Sequence, residues 1–131
     1  MRILLDTHIA LWAIVEDRRL PRDARTLIND RENFISVSAA TVWEIAIKHA
    51  VSRGKANAVP MSGRDALKDF TAAGYELLSV SPAHAAAVDS LPMIHRDPFD
   101  RILIAQAIVE PLRLLTSDRR IAEYSDTVVL V

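Results

Sequence analysis

Five short apolar runs alternate along this chain with segments of helical spacing, and that alternation constrains the fold more than any other feature. The runs are Arg2–Leu5, Phe34–Val37, Tyr75–Val80, Arg113–Leu115 and Thr127–Leu130. Most lack the strict polar alternation of a strand with one wet face. Near-continuous apolar strands separated by helices predict a parallel sheet covered on both sides. The segments between them predict helices over His8–Val15, Pro21–Asp30, Ser38–Ser52, Ser62–Ala73, Ala83–Leu91, Pro98–Val109 and Ser117–Glu123. Ser38 and Ser62 are suited to N-caps, Gly54 and Gly74 to helix stops, and Pro21 to a first turn. Arg53–Gly63 reads as a long loop inside the domain. The expected fold class is therefore α/β, with residues 1–131 as one domain and the ligand site at the carboxyl ends of the strands.

Composition narrows the chemistry. There is no Cys, which excludes a thiolate metal site, a cysteine nucleophile and a disulfide scaffold. It fits a reducing cytoplasm. Only three Gly occur, and no G-x-G or G-x-x-x-x-G-K pattern, so a phosphate-cradling glycine loop is excluded. The amino-terminal apolar stretch ends at Asp6, too soon for a secretory signal, and no run reaches membrane-spanning length. A net charge of -1, from 16 basic and 17 acidic residues, gives no general sign of nucleic-acid binding.

Four acids occupy positions that need explaining. Asp6 directly follows the first strand, where it could also cap the next helix. Asp100 stands at the third position of the Asp97-Pro98-Phe99-Asp100 helix start, on the same face as Leu103, Ile104 and Ala107. Asp97 reads as that helix's cap. Asp118 lies just past the fourth strand, and Thr116 or Ser117 could cap the following turn and leave it free. Glu44 sits mid-helix among apolar neighbours on nearly every face, where an unpaired carboxylate costs several kcal/mol. Lys48, at i+4, is its one obvious partner. Carboxylates converging on one sheet edge repel each other unless a cation is present. With only oxygen ligands and no paired His, Mg²⁺ or Mn²⁺ fits better than zinc.

The segments Leu4-Leu5-Asp6-Thr7-His8, Trp43-Glu44-Ile45, Arg96-Asp97-Pro98-Phe99-Asp100-Arg101 and Leu115-Thr116-Ser117-Asp118 resemble those of a PIN domain. More narrowly, they are similar to VapC-type toxins of prokaryotic toxin–antitoxin pairs. The resemblance implies a Rossmann-like, five-stranded parallel sheet and a Mg²⁺- or Mn²⁺-dependent endoribonuclease. It also implies a homodimer and a VapB-type antitoxin that blocks the active-site groove. It carries the metal-binding and catalytic roles onto Asp6, Glu44, Asp100 and Asp118, with Asp97, Thr116 and Thr7 auxiliary.

Arg96, Arg101, Arg119 and Arg120 flank these motifs and are expected to bind the RNA backbone, since 13 of the 16 basic residues are Arg. Surface pairing with local acids would explain them equally well. His8, His49, His84 and His95 read as structural or surface groups, with His8 and His95 nearest the motifs. Trp12 and Trp43 read as core or interface residues. Two other classes compete. An aspartyl-nucleophile phosphatase would want a second Asp two residues after Asp6, but His8 stands there. A non-catalytic interaction module would have lost the acids, and all four are present.

Overall fold

The computed structural model describes residues 1–131. Its strands are β1 (Arg2–Leu5), β2 (Phe34–Ser38), β3 (Glu76–Leu78), β4 (Arg113–Thr116) and β5 (Val128–Leu130). Its helices are α1 (Thr7–Ile14), α2 (Arg22–Asn29), α3 (Ala39–Ser52), α4 (Gly63–Ala72), α5 (Pro82–Ala87), α6 (Pro98–Val109) and α7 (Arg119–Ala122). The strands form one parallel sheet in the order β3-β2-β1-β4-β5. The expected five-stranded α/β architecture is what the structure shows. No helix is long and apolar enough to cross a membrane.

The apolar runs follow from where the strands sit. Successive residues of β1 face opposite sides of the sheet. Ile3 and Leu5 join a core with Ile9, Ile35, Val37, Ile45, Phe70 and Leu115. Leu4 joins a second core with Leu103, Ile104, Leu114 and Ile121. A strand that feeds two cores cannot carry polar residues on alternate positions.

The strand order runs outward from β1 in one direction and from β4 in the other. The connections therefore diverge at the β1–β4 seam, which opens a crevice at the carboxyl ends of those strands. Asp6 and Asp118 follow these two strands.

Several helix boundaries differ from the sequence expectation, beginning with α1, which runs Thr7–Ile14 rather than His8–Val15. Pro21 is the N-cap of α2 rather than part of its first turn. The segment expected to be helical from Ala83 to Leu91 is α5 followed by a 3-10 turn at Val88–Ser90. α5 begins one residue earlier because Ser81 and His84 form a capping box. Asp118 itself caps α7, so the helix begins after it.

Gly63 shows how tightly α3 and α4 meet. A Cβ on Gly63 would lie 2.6 Å from the Ala46 Cβ and 3.1 Å from the Val42 carbonyl oxygen. Alanine is the better helix former by about 1 kcal/mol, but here the clash outweighs that gain. Gly63→Ala is expected to destabilise the fold by about 1–3 kcal/mol in urea denaturation.

Candidate active site

The crevice is assembled from four separate elements. Asp6, buried at the end of β1, caps α1 by accepting the Ile9 N–H at 2.8 Å. Its other oxygen accepts a short hydrogen bond from the Thr116 hydroxyl at the end of β4. The same hydroxyl oxygen accepts the Asp118 N–H at 3.0 Å. Thr116 thus ties the two strand-end acids together.

Burial drives the Asp6 carboxyl above its ordinary pKa. The Thr116 and Ile9 hydrogen bonds oppose that shift without cancelling it, and the nearby Asp118 charge adds to it. None of the ion pairs in the molecule involves Asp6. The His8 charge also lowers the Asp6 pKa, but without an ion pair, so Asp6 keeps two hydrogen-bond donors and no salt-bridge partner.

Glu44 is only 2% exposed. It accepts the Thr7 hydroxyl at 2.7 Å on one oxygen and Lys48 Nζ at 2.5 Å on the other. Because Thr7 spends its proton on Glu44, the 3.1 Å contact between the Thr7 and Thr41 hydroxyls has Thr41 as donor. The i+4 partner foreseen for Glu44 is therefore present. Burial works against the Lys48 ammonium, but the hydrogen bond and charge of Glu44 leave its pKa raised. Asp97 and Asp100 add to that stabilisation, so Lys48 serves several acids.

Asp100 occupies the third position of α6, as its sequence context suggests, and Asp97 caps that helix through the Phe99 N–H at 2.8 Å. The partner of Asp100 is His95, whose Nε2 lies 2.6 Å from the carboxylate. Burial raises the Asp100 pKa to about 6, against the pull of His95 and with the help of the Asp97 and Glu44 charges. Asp118 goes the other way. Its partial burial raises it, but the hydrogen bonds and charge of Arg120 outweigh that and lower its pKa.

The tightest group of candidate ligand atoms is not the expected four. It is His95, Asp97 and Asp100, with ligand atoms within 4.8 Å of one another. Asp6, Glu44 and Asp118 lie outside that group. They connect to it through charge: Asp118 acts on Asp6, Glu44 on Asp100, and His95 on Asp118.

The expected ring of arginines needs correction. Arg120 pairs with Asp118 at 3.0 Å, while Arg96 and Arg119 are exposed. Arg101 is 8% exposed, and its guanidinium donates to backbone carbonyls rather than facing solvent. The helix that aims Asp100 at the crevice points the next residue into the protein. Two site residues lay outside the expected set. Lys48 was signalled by its i+4 spacing from Glu44. His95 was signalled only by standing two residues before Asp97.

Comparisons with known proteins bear on the family and the fold. The family model described as "PIN domain" matches residues 3–126. Ribonuclease VapC22 of Mycobacterium tuberculosis is 29% identical over 123 residues, covering 93% of this chain and 91% of that protein. Among solved structures, VapBC2 from Rickettsia felis bound to a promoter DNA fragment superposes with a TM-score of 0.68 at 18% identity. That match covers 100% of this chain and 98% of the other. DNA-bound VapBC from Salmonella typhimurium gives 0.67 at 16% identity, covering 100% and 97%.

The raised Asp100 pKa has a consequence for stability. A carboxyl that holds its proton more tightly when folded contributes stability at low pH and loses it as pH rises from its ordinary 3.8 toward about 6. The metal-free chain should therefore lose stability over that interval. Asp100→Asn should flatten the loss and raise the melting temperature above about pH 7, as read by thermal denaturation across a pH series.

Proposed function

This chain belongs to the PIN domain family, and from that premise we propose that it is an endoribonuclease dependent on a divalent cation. We read residues 1–131 as one such domain, acting in the cytoplasm as the toxin of a VapBC-type pair. The observation that carries the reading is the placement of Asp6. It is a buried carboxylate without a salt-bridge partner, at the seam where the sheet connections diverge, tied through Thr116 to Asp118. The name and coverage of the Mycobacterium tuberculosis ribonuclease support RNA as the substrate.

The donor set fits a hard cation. Asp6, Asp100 and Asp118 are oxygen donors on three elements, and two of them have pKa values raised by desolvation. In this reading they hold Mg²⁺ or Mn²⁺ directly or through water. A bound cation of this kind lowers the pKa of a water and offsets charge on the reacting phosphate.

The chain's own groups do the rest. Thr7 and Lys48 fix both oxygens of Glu44, which completes the cation's surroundings or orients the attacking water. Thr116 holds Asp6 and Asp118 in register, and Asp97 fixes the helix turn that presents Asp100. Arg96, Arg119 and Arg120 stand where they can meet the RNA backbone, and Arg120 also restrains Asp118. Arg101 is not assigned that role.

Two protein partners complete the proposal. The VapBC assemblies among the structural relatives support a VapB-type antitoxin. A homodimer is supported by an exposed apolar groove of about 670 Å³ lined by Ala39, Trp43, Val80, Val88, Phe99 and Ile102. Trp43 is 62% exposed there and meets Phe99 edge-on at 5.2 Å. Exposed apolar patches of this kind mark interaction surfaces.

The reading as a non-catalytic module is tested by the same acids. Asp6→Asn is expected to lower Mn²⁺-dependent RNA cleavage by about 100-fold or more while the chain stays folded. Cleavage by that variant at the unaltered rate would contradict the reading. Trp43→Glu is expected to shift the sedimenting species from dimer to monomer. An unaltered sedimentation profile would move the interface elsewhere.

A further inference from the structure

Arg101 is a buried cation with no carboxylate partner, an arrangement that costs free energy unless its donors are otherwise satisfied. Its guanidinium finds them on one stretch of backbone. Nη1 donates to the Pro92 carbonyl at 2.9 Å and the His95 carbonyl at 3.4 Å. Nη2 donates to the Val88 and Leu91 carbonyls, each at 3.4 Å. Nη1 also reaches the Tyr124 hydroxyl at 3.2 Å. That hydroxyl accepts the His95 N–H at 2.7 Å and donates to the His95 carbonyl at 3.2 Å, so its hydrogen-bonding capacity is filled.

These contacts close a circuit. α6 presents Asp100 and, one residue later, Arg101. Arg101 pins the segment from Val88 to His95 against the helix, and Tyr124, just after α7, grips His95 by both of its backbone groups. The pinned segment then returns the His95 ring to Asp100 at 2.6 Å. The side chain of His95 is thereby fixed without depending on its own packing alone.

We propose that Arg101 and Tyr124 are positioning residues that hold His95 against Asp100 and so fix that carboxylate for cation binding. The inference rests on the cation-dependent reading above. His95 acts through Asp100: its Nε2 is directed at the carboxylate oxygen and leaves the other oxygen for the ion. Outer hydrogen-bond partners of metal-binding side chains change metal affinity by about 10- to 100-fold when removed.

The test is Mn²⁺ binding by calorimetry on the full chain, with melting temperature measured alongside. His95→Phe keeps a ring but no donor, and should weaken Mn²⁺ binding about 10-fold or more without lowering the melting temperature. His95→Gln, which can place an N–H near the position of Nε2, should restore affinity to within about threefold. Tyr124→Phe should weaken binding in the same direction as His95→Phe, and unchanged affinity in that variant would overturn the positioning role of Tyr124. Affinity unchanged in His95→Phe would overturn the proposal, and so would His95→Gln binding as weakly as His95→Phe, because His95 would then be a ligand in its own right. Absence of Mn²⁺ binding by the unaltered chain, matched by Asp6→Asn, would overturn the cation reading and this inference with it.

Discussion

The hydrogen bond from Thr116 to Asp6 joins the two strands on either side of the sheet's divergence point, and the site is organised around it. The backbone sets its geometry first: Leu5 is in register with Leu115, and the Asp6 N–H donates to the Leu115 carbonyl at 3.0 Å. That pairing puts the next side chains of β1 and β4 side by side at the crevice. Thr116 is fully buried, so its hydroxyl must find partners within the protein. It finds both acids, donating to Asp6 and accepting from the Asp118 backbone. The two cores beneath hold the strands rigid, and the acids inherit that rigidity.

Electrostatic strain follows from the same arrangement. Burial raises Asp6 and Asp100, and their acidic neighbours add to the cost. Lys48, His95 and Arg120 relieve Glu44, Asp100 and Asp118 in turn. No side-chain cation pairs with Asp6. The formal net charge of -1 hides this concentration of acids, because the basic residues balance it only over the whole surface. An added divalent cation would stabilise the folded state most where this strain is greatest.

Much of the fold was legible in the sequence because local rules decide it. Ser38 and Ser62 cap α3 and α4 through their own side chains, and Asp97 with Pro98 starts α6. The strand runs were legible because both of their faces are buried. The misplaced features depend on contacts distant in sequence. Nothing near Arg101 tells whether its side chain turns out toward solvent or in toward carbonyls up to 13 residues away. The grip of Tyr124 on His95 spans 29 residues and is invisible to spacing. Local sequence leaves three candidates for the α7 cap, and Asp118 takes the role because Thr116 donates to Asp6. The settings of the four acids and the i+4 spacing of Lys48 from Glu44 are visible in the sequence, while the partnership of His95 with Asp100 needs three-dimensional proximity.

Carboxylates from the end of β1, from α6 and from the β4–α7 junction are expected to share a divalent-cation site. Anomalous diffraction from crystals soaked in Mn²⁺ tests this expectation most directly. One or more manganese peaks are expected within coordination distance of the Asp6, Asp100 and Asp118 carboxylates. A peak held by His95, Asp97 and Asp100 without Asp6, or no peak in this crevice, would contradict it.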